Sequence, residues 1–184
     1  MRLFIASRIE GSAVARVEEG LAPVRARVAR ASWVAGGSWH LTYAFLGEQD
    51  ERVARTIGSR LPEALEGITR YEGALSGGGF FPDERRPKVG WLALESPAPL
   101  MRIADAVRRM LDAERVEYDR KPFRPHLTIV RIRDRWSARD VAELREACNA
   151  LGRVEMSAGR VSLYRSELLP GGAKHHELAG VTLS

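Results

Sequence analysis

The sequence predicts one globular domain of mixed strands and helices, built from two comparable halves. Its 184 residues are 45% hydrophobic and 29% charged, which is the composition of a folded domain with a sizeable core. Strand-like runs alternate with helical stripes along the chain. One tripeptide, His-Leu-Thr, occurs at residues 40–42 and again at 126–128, an offset of nearly half the chain. We therefore expect residues 1–184 to form a single domain of two interlocked lobes.

The first half is predicted to contain two strands, each followed by a helix. Leu3 to Ile9 forms the first strand, and a helix with a kink near Pro23 follows it. The strand that starts at His40 is closed by Gly47-Glu48, and the second helix is entered near Asp50. The apolar stripes of the two helices are Val14, Val17, Leu21, Val24 and Val28, and then Val53, Ile57, Leu61 and Leu65.

The second half repeats this alternation. Ile68 to Leu75 and Lys88 to Leu94 are predicted as paired strands, joined by a turn at Gly77-Gly78-Gly79 and the segment Phe80-Phe81-Pro82. The glycine triplet lacks the Gly-Lys-Ser/Thr of a phosphate-binding loop, so we expect a plain loop. The remaining elements are a helix on Leu100, Ile103, Val107 and Leu111, the second His-Leu-Thr strand, a helix from Ser137 with Asp140 in the capping position, and strands at Val154 to Leu168 and His175 to Leu183 around a Pro170-Gly171-Gly172 turn.

Composition and charge narrow the class of protein. No apolar run reaches the length of a membrane-spanning helix, and the N-terminus becomes charged too early for a signal peptide, so we expect a cytoplasmic protein with no membrane partner. Cys148 is the only cysteine, which excludes an internal disulfide and predicts a packed helical residue. The net charge is +5 and 26 of the 29 basic residues are arginine, which suits a polyanionic partner. Because these arginines are scattered, coding bias explains them nearly as well.

The repeated tripeptide is the strongest functional signal. Four histidines and five threonines in 184 residues would give about 0.1 His-x-Thr pairs by chance. Both copies lie in strand-like runs, where period-2 geometry puts His40 beside Thr42 and His126 beside Thr128 on one face. Each strand therefore offers one imidazole and one hydroxyl to the same side.

Two imidazoles and two hydroxyls suit chemistry at phosphorus. One neutral histidine can accept a proton while a second, charged one donates. Threonine hydroxyls can donate hydrogen bonds to the oxygens of a phosphate that is displaced in line. Packing on an apolar face would explain a single histidine better than a repeated His-x-Thr. A metal site is a weaker alternative, because no Asp, Glu or Cys ligand stands at a recognisable spacing.

Five segments carry a resemblance to a known family: Trp33-Val34, residues 40–48 (HLTYAFLGE), 81–91 (FPDERRPKVGW), 123–131 (FRPHLTIVR) and 163–166 (LYRS). They resemble, in order, the blocks of the bacterial and archaeal RNA 2′,3′-cyclic phosphodiesterases, long called 2′-5′ RNA ligases, of the 2H phosphoesterase superfamily. The resemblance implies an α+β, bilobal and pseudo-symmetric fold, with antiparallel sheets facing a central cleft and helices outside. It also implies metal-independent opening of RNA 2′,3′-cyclic phosphate ends to 2′-phosphates.

The resemblance also assigns roles to individual residues. It implies that His40 is the proton donor and His126 the proton acceptor, that Thr42 and Thr128 hold phosphate oxygens, and that Arg131 neutralises phosphate charge. The chain departs from the family where Ala44 replaces a basic residue and where His175 replaces an aromatic residue near the final turn. His175 and His176 are expected to be exposed to solvent. The further candidates for contact with substrate are Arg124, Phe45, Phe81 and His175.

The sequence thus predicts a phosphodiesterase that needs no cofactor and no metal. Its expected partners are RNA with 2′,3′-cyclic phosphate ends or small cyclic nucleotides, and we expect a monomer. Run backwards, the same groups would join RNA ends through a 2′-5′ linkage without ATP. Two alternatives remain open: a sister activity on ADP-ribose cyclic phosphate or 2′-5′ oligoadenylate, and an RNA-end-binding module without turnover.

Overall fold

The computed structural model describes residues 1–9, 12–28, 31–169 and 172–184. Within these residues the chain forms four α-helices and nine β-strands, with a 3₁₀ turn at Gly36–Ser38. The helices are α1 (Ala13–Arg27), α2 (Glu51–Ala64), α3 (Ala98–Ala113) and α4 (Ala138–Ala150). The strands are β1 (Arg2–Arg8), β2 (Ser32–Trp33), β3 (His40–Glu48), β4 (Tyr71–Phe81), β5 (Val89–Leu94), β6 (His126–Arg131), β7 (Val154–Ala158), β8 (Arg160–Leu169) and β9 (Gly172–Thr182).

The strands form two antiparallel sheets. The first sheet has the order β3-β1-β8-β9 and the second has the order β2-β6-β5-β4-β7. Helices α2 and α3 pack on the first sheet, and α1 and α4 pack on the second. Each sheet takes strands from both halves of the sequence, so the chain crosses between the sheets several times. The α+β class expected from the sequence is confirmed.

The first sheet buries apolar side chains on both of its faces. Leu3 and Ile5 of β1 belong to the main core under the helices, whereas Phe4 and Ala6 alternate to the other face. There they form a separate buried cluster with Tyr164 of β8. This second face is the one that carries His40 and the side chains described below.

The first sheet is strongly curled. His40 lies on one edge strand and His175 on the other, yet their ring centroids are 5.1 Å apart. In a flat sheet, three strand spacings of about 4.8 Å would hold them about 14 Å apart. The curl therefore turns the Phe4 face into a concave surface and brings its two edges together.

Several local predictions are confirmed. Asp50 caps α2, because its carboxylate accepts a hydrogen bond from the Val53 N–H at 2.8 Å. Ser137 and Asp140 form a capping box at the start of α4. Cys148 is buried in α4, and burial raises the pKa of its thiol to about 12.

The predicted turn at Gly77-Gly78-Gly79 is wrong. All three glycines lie inside β4, and Gly78 and Gly79 pair with Leu92 and Trp91 of β5. A Cβ added at Gly78 would lie 2.6 Å from the carbonyl oxygen of Trp91, and one at Gly79 would lie 2.7 Å from the Trp91 ring. These glycines permit close packing of two strands, and the chain reverses after Phe81 instead.

Other boundaries also differ from the sequence prediction. The segment Val154 to Leu168 is divided at Gly159 into β7, which pairs with β4 of the second sheet, and β8, which pairs with β1 of the first. The end of β3 agrees with the prediction, since the strand closes at Gly47-Glu48 and Gly47 has a φ of 67°. Of the predicted final turn, residues 170 and 171 lie outside the described residues. In the described part of the chain, no helix combines the length and the apolar character needed to span a membrane.

Candidate active site

The two His-x-Thr strands lie in different sheets. His40 and Thr42 belong to β3 at the edge of the first sheet, and His126 and Thr128 belong to β6 of the second. In both strands the histidine and the threonine are half-buried while the intervening leucine is buried. Strands β3 and β6 contact each other, and Thr42 of one copy and His126 of the other line the same cavity.

Both imidazoles are anchored by the same hydrogen bond. Nδ1 of His40 lies 2.7 Å from the carbonyl oxygen of Ser38, and Nδ1 of His126 lies 2.6 Å from that of Arg124. A carbonyl oxygen can only accept, so Nδ1 must carry the proton in both rings. Nε2 of each ring is then the atom that can take up or release a proton.

The His40 ring is enclosed by other side chains. Its centroid lies 5.0 Å from that of Phe4 and 5.1 Å from that of His175, which meets it edge-on. The pKa of His40 is lowered to about 4, chiefly by burial. The nearby charges of His175, Arg131 and Arg8 also lower it, and the hydrogen bond to the Ser38 carbonyl opposes them. In the free protein His40 is therefore neutral at neutral pH.

His126 lies in a different environment. Phe81 meets its ring edge-on at 4.9 Å, and Trp91 lies at 6.4 Å. Burial lowers the pKa of His126, and the charge of Arg131 adds to this effect. The carbonyl of Arg124 that holds the ring belongs to the segment that leads into β6, so this residue positions His126 through its backbone.

Arg131 lies at the end of β6 and is exposed to solvent. Its charge lowers the pKa of His40, His126 and His175 alike. The positive charge of Arg131 therefore acts on all three imidazoles. A cation at that point is well placed to attract an anion between the histidines.

A cavity of about 480 Å³ opens beside Thr42 and His126. This volume falls within the range of small-molecule sites. Its walls combine aromatic rings with basic side chains. Phe45 is 37% exposed, and the guanidinium carbon of Arg2 lies 5.0 Å from its ring centre. The lining residues are Thr42, Tyr43, Ala44, Phe45, Phe81, Arg108, Asp119, Lys121, Pro122, Phe123, Arg124 and His126.

The structure therefore brings most of the sequence-predicted residues together. Phe45, Phe81 and Arg124 line one cavity with His126, and Ala44 lies at the same cavity. The expectation that His175 is exposed is wrong, since it is half-buried against Phe4 at 4.9 Å. His176 is also half-buried, and its Nε2 lies 3.3 Å from Glu167 on the opposite face.

Sequence reasoning missed Arg8. This residue ends β1, directly opposite His40 in the β1–β3 ladder. The only signal available from the sequence was its position two residues beyond Ala6 on the face that carries Phe4. In the described ranges, no group of three or more His, Cys, Asp or Glu side chains is arranged to hold a metal ion.

Comparison with known proteins identifies the family to which this chain belongs. A sequence profile of the 2′-5′ RNA ligase superfamily matches residues 12–168. A Thermotoga maritima protein named RNA 2′,3′-cyclic phosphodiesterase is 30% identical over 175 residues, covering 94% of this chain and 90% of the relative. A protein of the same name from Methanothermobacter thermautotrophicus is 33% identical over 165 residues, covering 86% and 84%.

A solved structure shares the fold. A Thermus thermophilus protein superposes with a TM-score of 0.77 at 28% identity, and the match covers 100% of this chain and 98% of that one. The α+β fold with two antiparallel sheets, expected from the sequence resemblance, is thereby confirmed.

Proposed function

Because the chain belongs to the 2′-5′ RNA ligase superfamily, we propose that it opens the 2′,3′-cyclic phosphate at an RNA end to a 2′-phosphate without a metal ion. One observation carries this proposal. The two His-x-Thr strands lie one in each sheet, and both imidazoles are anchored through Nδ1 so that Nε2 is left for proton transfer. The names of the Thermotoga and Methanothermobacter relatives support the same substrate.

The two histidines divide the proton transfers between them. Nε2 of His126 takes a proton from a water molecule, and the water oxygen forms a bond to phosphorus. The bond between phosphorus and the ribose O3′ breaks, and Nε2 of His40 gives a proton to the departing O3′. The products are a 2′-phosphate and a free 3′-hydroxyl, and the proton balance is closed by exchange with solvent.

The phosphate itself is held by neutral donors and one cation. Thr42 and Thr128 project from opposite sheets beside the two histidines, and their hydroxyls donate to the non-bridging oxygens. Arg131 neutralises the charge that these oxygens carry. This division leaves both imidazoles free for proton transfer.

Because the pKa of His40 is low, the bound substrate is needed to make His40 a charged proton donor. A proton donor must be charged, whereas burial makes His40 neutral in the free protein. A bound phosphate is an anion within reach of the ring, so it raises the pKa of His40 and stabilises the imidazolium. The donor is therefore charged only in the complex.

The cavity beside Thr42 is the site for the terminal nucleoside. Phe45 and Phe81 offer ring faces and edges to a base, and Arg124 stands at the same cavity. His175 does not line this cavity and instead meets the His40 ring edge-on. RNA ends and small cyclic nucleotides both fit a site that binds one nucleoside and its phosphate.

The same groups would also serve ligation, in which an RNA hydroxyl takes the place of water. An RNA 5′-hydroxyl that attacks the cyclic phosphate in place of water would give a 2′-5′ linkage without ATP. His126 would again deprotonate the nucleophile and His40 would again protonate O3′. Hydrolysis dominates wherever water outcompetes the second RNA end.

The test is product analysis on a short RNA that ends in a 2′,3′-cyclic phosphate. We expect a single 2′-phosphorylated product, and the rate should be unchanged after treatment with EDTA because every proposed role is filled by a side chain. A 3′-phosphate product, or activity that EDTA removes and a divalent ion restores, would contradict the mechanism. Binding without turnover would favour an RNA-end-binding module, and turnover of ADP-ribose cyclic phosphate or 2′-5′ oligoadenylate alone would favour a sister activity.

Variants assign the roles within that assay. His40→Ala and His126→Ala should each lower the rate by roughly 10²- to 10⁴-fold, the usual cost of losing a general acid or base. Thr42→Val and Thr128→Val should cost about 10²-fold or less, as for loss of one oxyanion donor. His176→Ala is the matched control, because His176 lies on the opposite face with Glu167 and should leave the rate unchanged.

A further inference from the structure

A second cationic group lies on the concave face of the first sheet, outside the cavity described above. Arg8 at the end of β1 pairs with His40 across the ladder, and its guanidinium carbon lies 5.6 Å from the ring centre of Tyr164. His175 reaches the same place from β9, with its ring 4.9 Å from Phe4. Arg8 and His175 thus flank His40 from two other strands.

The polar atoms of both side chains are available for a ligand. Arg8 is exposed. The nearby carboxylate of Glu177 forms a salt bridge with Arg160, at 2.6 Å, and not with Arg8. Among the described residues, the side chains of Arg8 and His175 form no hydrogen bond or salt bridge with another group. The ring of Tyr164 supports the guanidinium from one side and leaves its N–H donors available.

The mechanism fixes which part of a substrate comes near these donors. His40 protonates the departing O3′, so the ribose of the terminal nucleotide lies on the His40 side of phosphorus and the attacking water lies on the His126 side. That ribose also carries the 5′ oxygen. In an RNA chain, this oxygen bears the next phosphate, whereas in a simple nucleoside cyclic phosphate it is a hydroxyl.

We propose that Arg8 and His175 form a binding site for the phosphate on the 5′ side of the terminal nucleotide. This inference rests on the proposed function and extends it from the reacting end to the chain behind it. The planar guanidinium of Arg8 pairs with two phosphate oxygens, and an N–H of His175 donates to the same group. The protein therefore distinguishes an RNA end from a free cyclic nucleoside.

The experiment compares two substrates that differ only at this phosphate. Adenosine 2′,3′-cyclic phosphate has a 5′-hydroxyl, and adenosine 5′-phosphate 2′,3′-cyclic phosphate carries the extra group. We expect the wild-type protein to favour the second by about tenfold or more in kcat/KM, as for a charge-assisted hydrogen bond. Arg8→Ala should abolish this preference, and His175→Phe should reduce it while keeping a ring against Phe4 and His40.

The ratio between the substrates separates this site from the chemistry. Removing Arg8 also changes the charge near His40, but that effect is common to both substrates and cancels in the ratio. Arg165→Ala is the matched control, since Arg165 lies in β8 on the face opposite Tyr164 and should keep the wild-type ratio. Turnover of both substrates without preference, or a preference that survives Arg8→Ala, would overturn the inference alone. Turnover of neither would overturn the proposed function and the inference with it.

Discussion

At the scale of single residues, His40 and His126 are held by the same kind of hydrogen bond but have different surroundings. Each ring donates Nδ1–H to the carbonyl two positions earlier. His40 is enclosed by Phe4 and His175, whereas His126 lies against Phe81 at the aromatic cavity. The local sequence sets the tautomer of both rings, and the tertiary environment sets which ring holds a proton more readily.

This difference predicts how His40 titrates. In the free protein its pKa should lie near the value of about 4 that burial and the neighbouring cations impose, well below the usual 6.5. Saturation with inorganic phosphate should raise the pKa, because an anion beside the ring stabilises the imidazolium. The measurement is an NMR titration of the imidazole C–H signals with and without phosphate.

The assignment of the NMR signals comes from His40→Asn, which removes one resonance and keeps a side-chain donor for the Ser38 carbonyl. If the His40 signal of the free protein titrates near 6.5, the usual pKa of histidine, the ring is not enclosed as described. A pKa that is the same with and without bound phosphate would contradict substrate-assisted charging of the donor.

The sequence was sufficient to pair the four candidate residues of the two motifs, but not to place His175 beside His40. His-x-Thr spacing on a strand defines one face whatever the fold, so His40, Thr42, His126 and Thr128 could be predicted. The position of His175 could not, because it depends on how far the first sheet curls. Sequence separation alone gives no reason for an edge strand near the C-terminus to meet β3.

At the scale of elements, the glycine triplet shows how a local rule can mislead. Three consecutive glycines usually indicate a loop, and the sequence contains no feature there that favours a strand. In the structure the strand β4 runs through them. Glycine is needed at Gly78 and Gly79 because Trp91 of β5 and Cys148 of α4 occupy the space that side chains would need. The capping residues Asp50 and Ser137 were predictable because their partners lie within three residues.

Substitution of Gly78 tests this account of β4. A Cβ there would meet the backbone oxygen of Trp91 at 2.6 Å and Cys148 Sγ at 3.0 Å, and a backbone atom in a ladder cannot easily move away. We expect Gly78→Ala to lower the free energy of unfolding by about 1–3 kcal/mol, as for overpacking in a core. Urea denaturation followed by circular dichroism would measure the loss.

Gly37→Ala provides the control for that experiment. A Cβ at Gly37 would have no atom within 4 Å, and its backbone is not in the left-handed region. Its effect on stability should stay within about 0.5 kcal/mol. Equal stability of the two variants would show that β4 and β5 are not packed as closely as described.

At the scale of the whole molecule, the site depends on pairings that are distant in sequence. The first sheet joins β1 and β3 to β8 and β9, so the N-terminal and C-terminal strands build one concave face together. The repeat of His-Leu-Thr predicted two facing lobes, but it could not show that each sheet takes strands from both halves. That arrangement depends on packing between residues far apart in the sequence, which a short sequence motif cannot predict.

The same architecture places three histidines with lowered pKa values in one cleft. Burial is the main cause at His40, His126 and His175, and the charge of Arg131 contributes at each. In the unfolded chain these rings bind protons below their usual pKa of about 6.5. In the folded protein the same rings bind protons only at lower pH. Between the lowered pKa values and about 6.5, the unfolded state therefore binds more protons than the folded state.

Stability should therefore rise with pH across this window and fall on acidification. The contribution of His40 is fully present above pH 6.5 and is lost as pH falls towards about 4, the pKa of the folded state. Urea unfolding at about pH 7 and about pH 5 would measure the difference. His40→Asn should lose less stability between these two conditions than the wild type, because it has no imidazole to protonate. Since carboxylates contribute equally to both proteins, an identical loss would show that the fold does not exclude protons from His40.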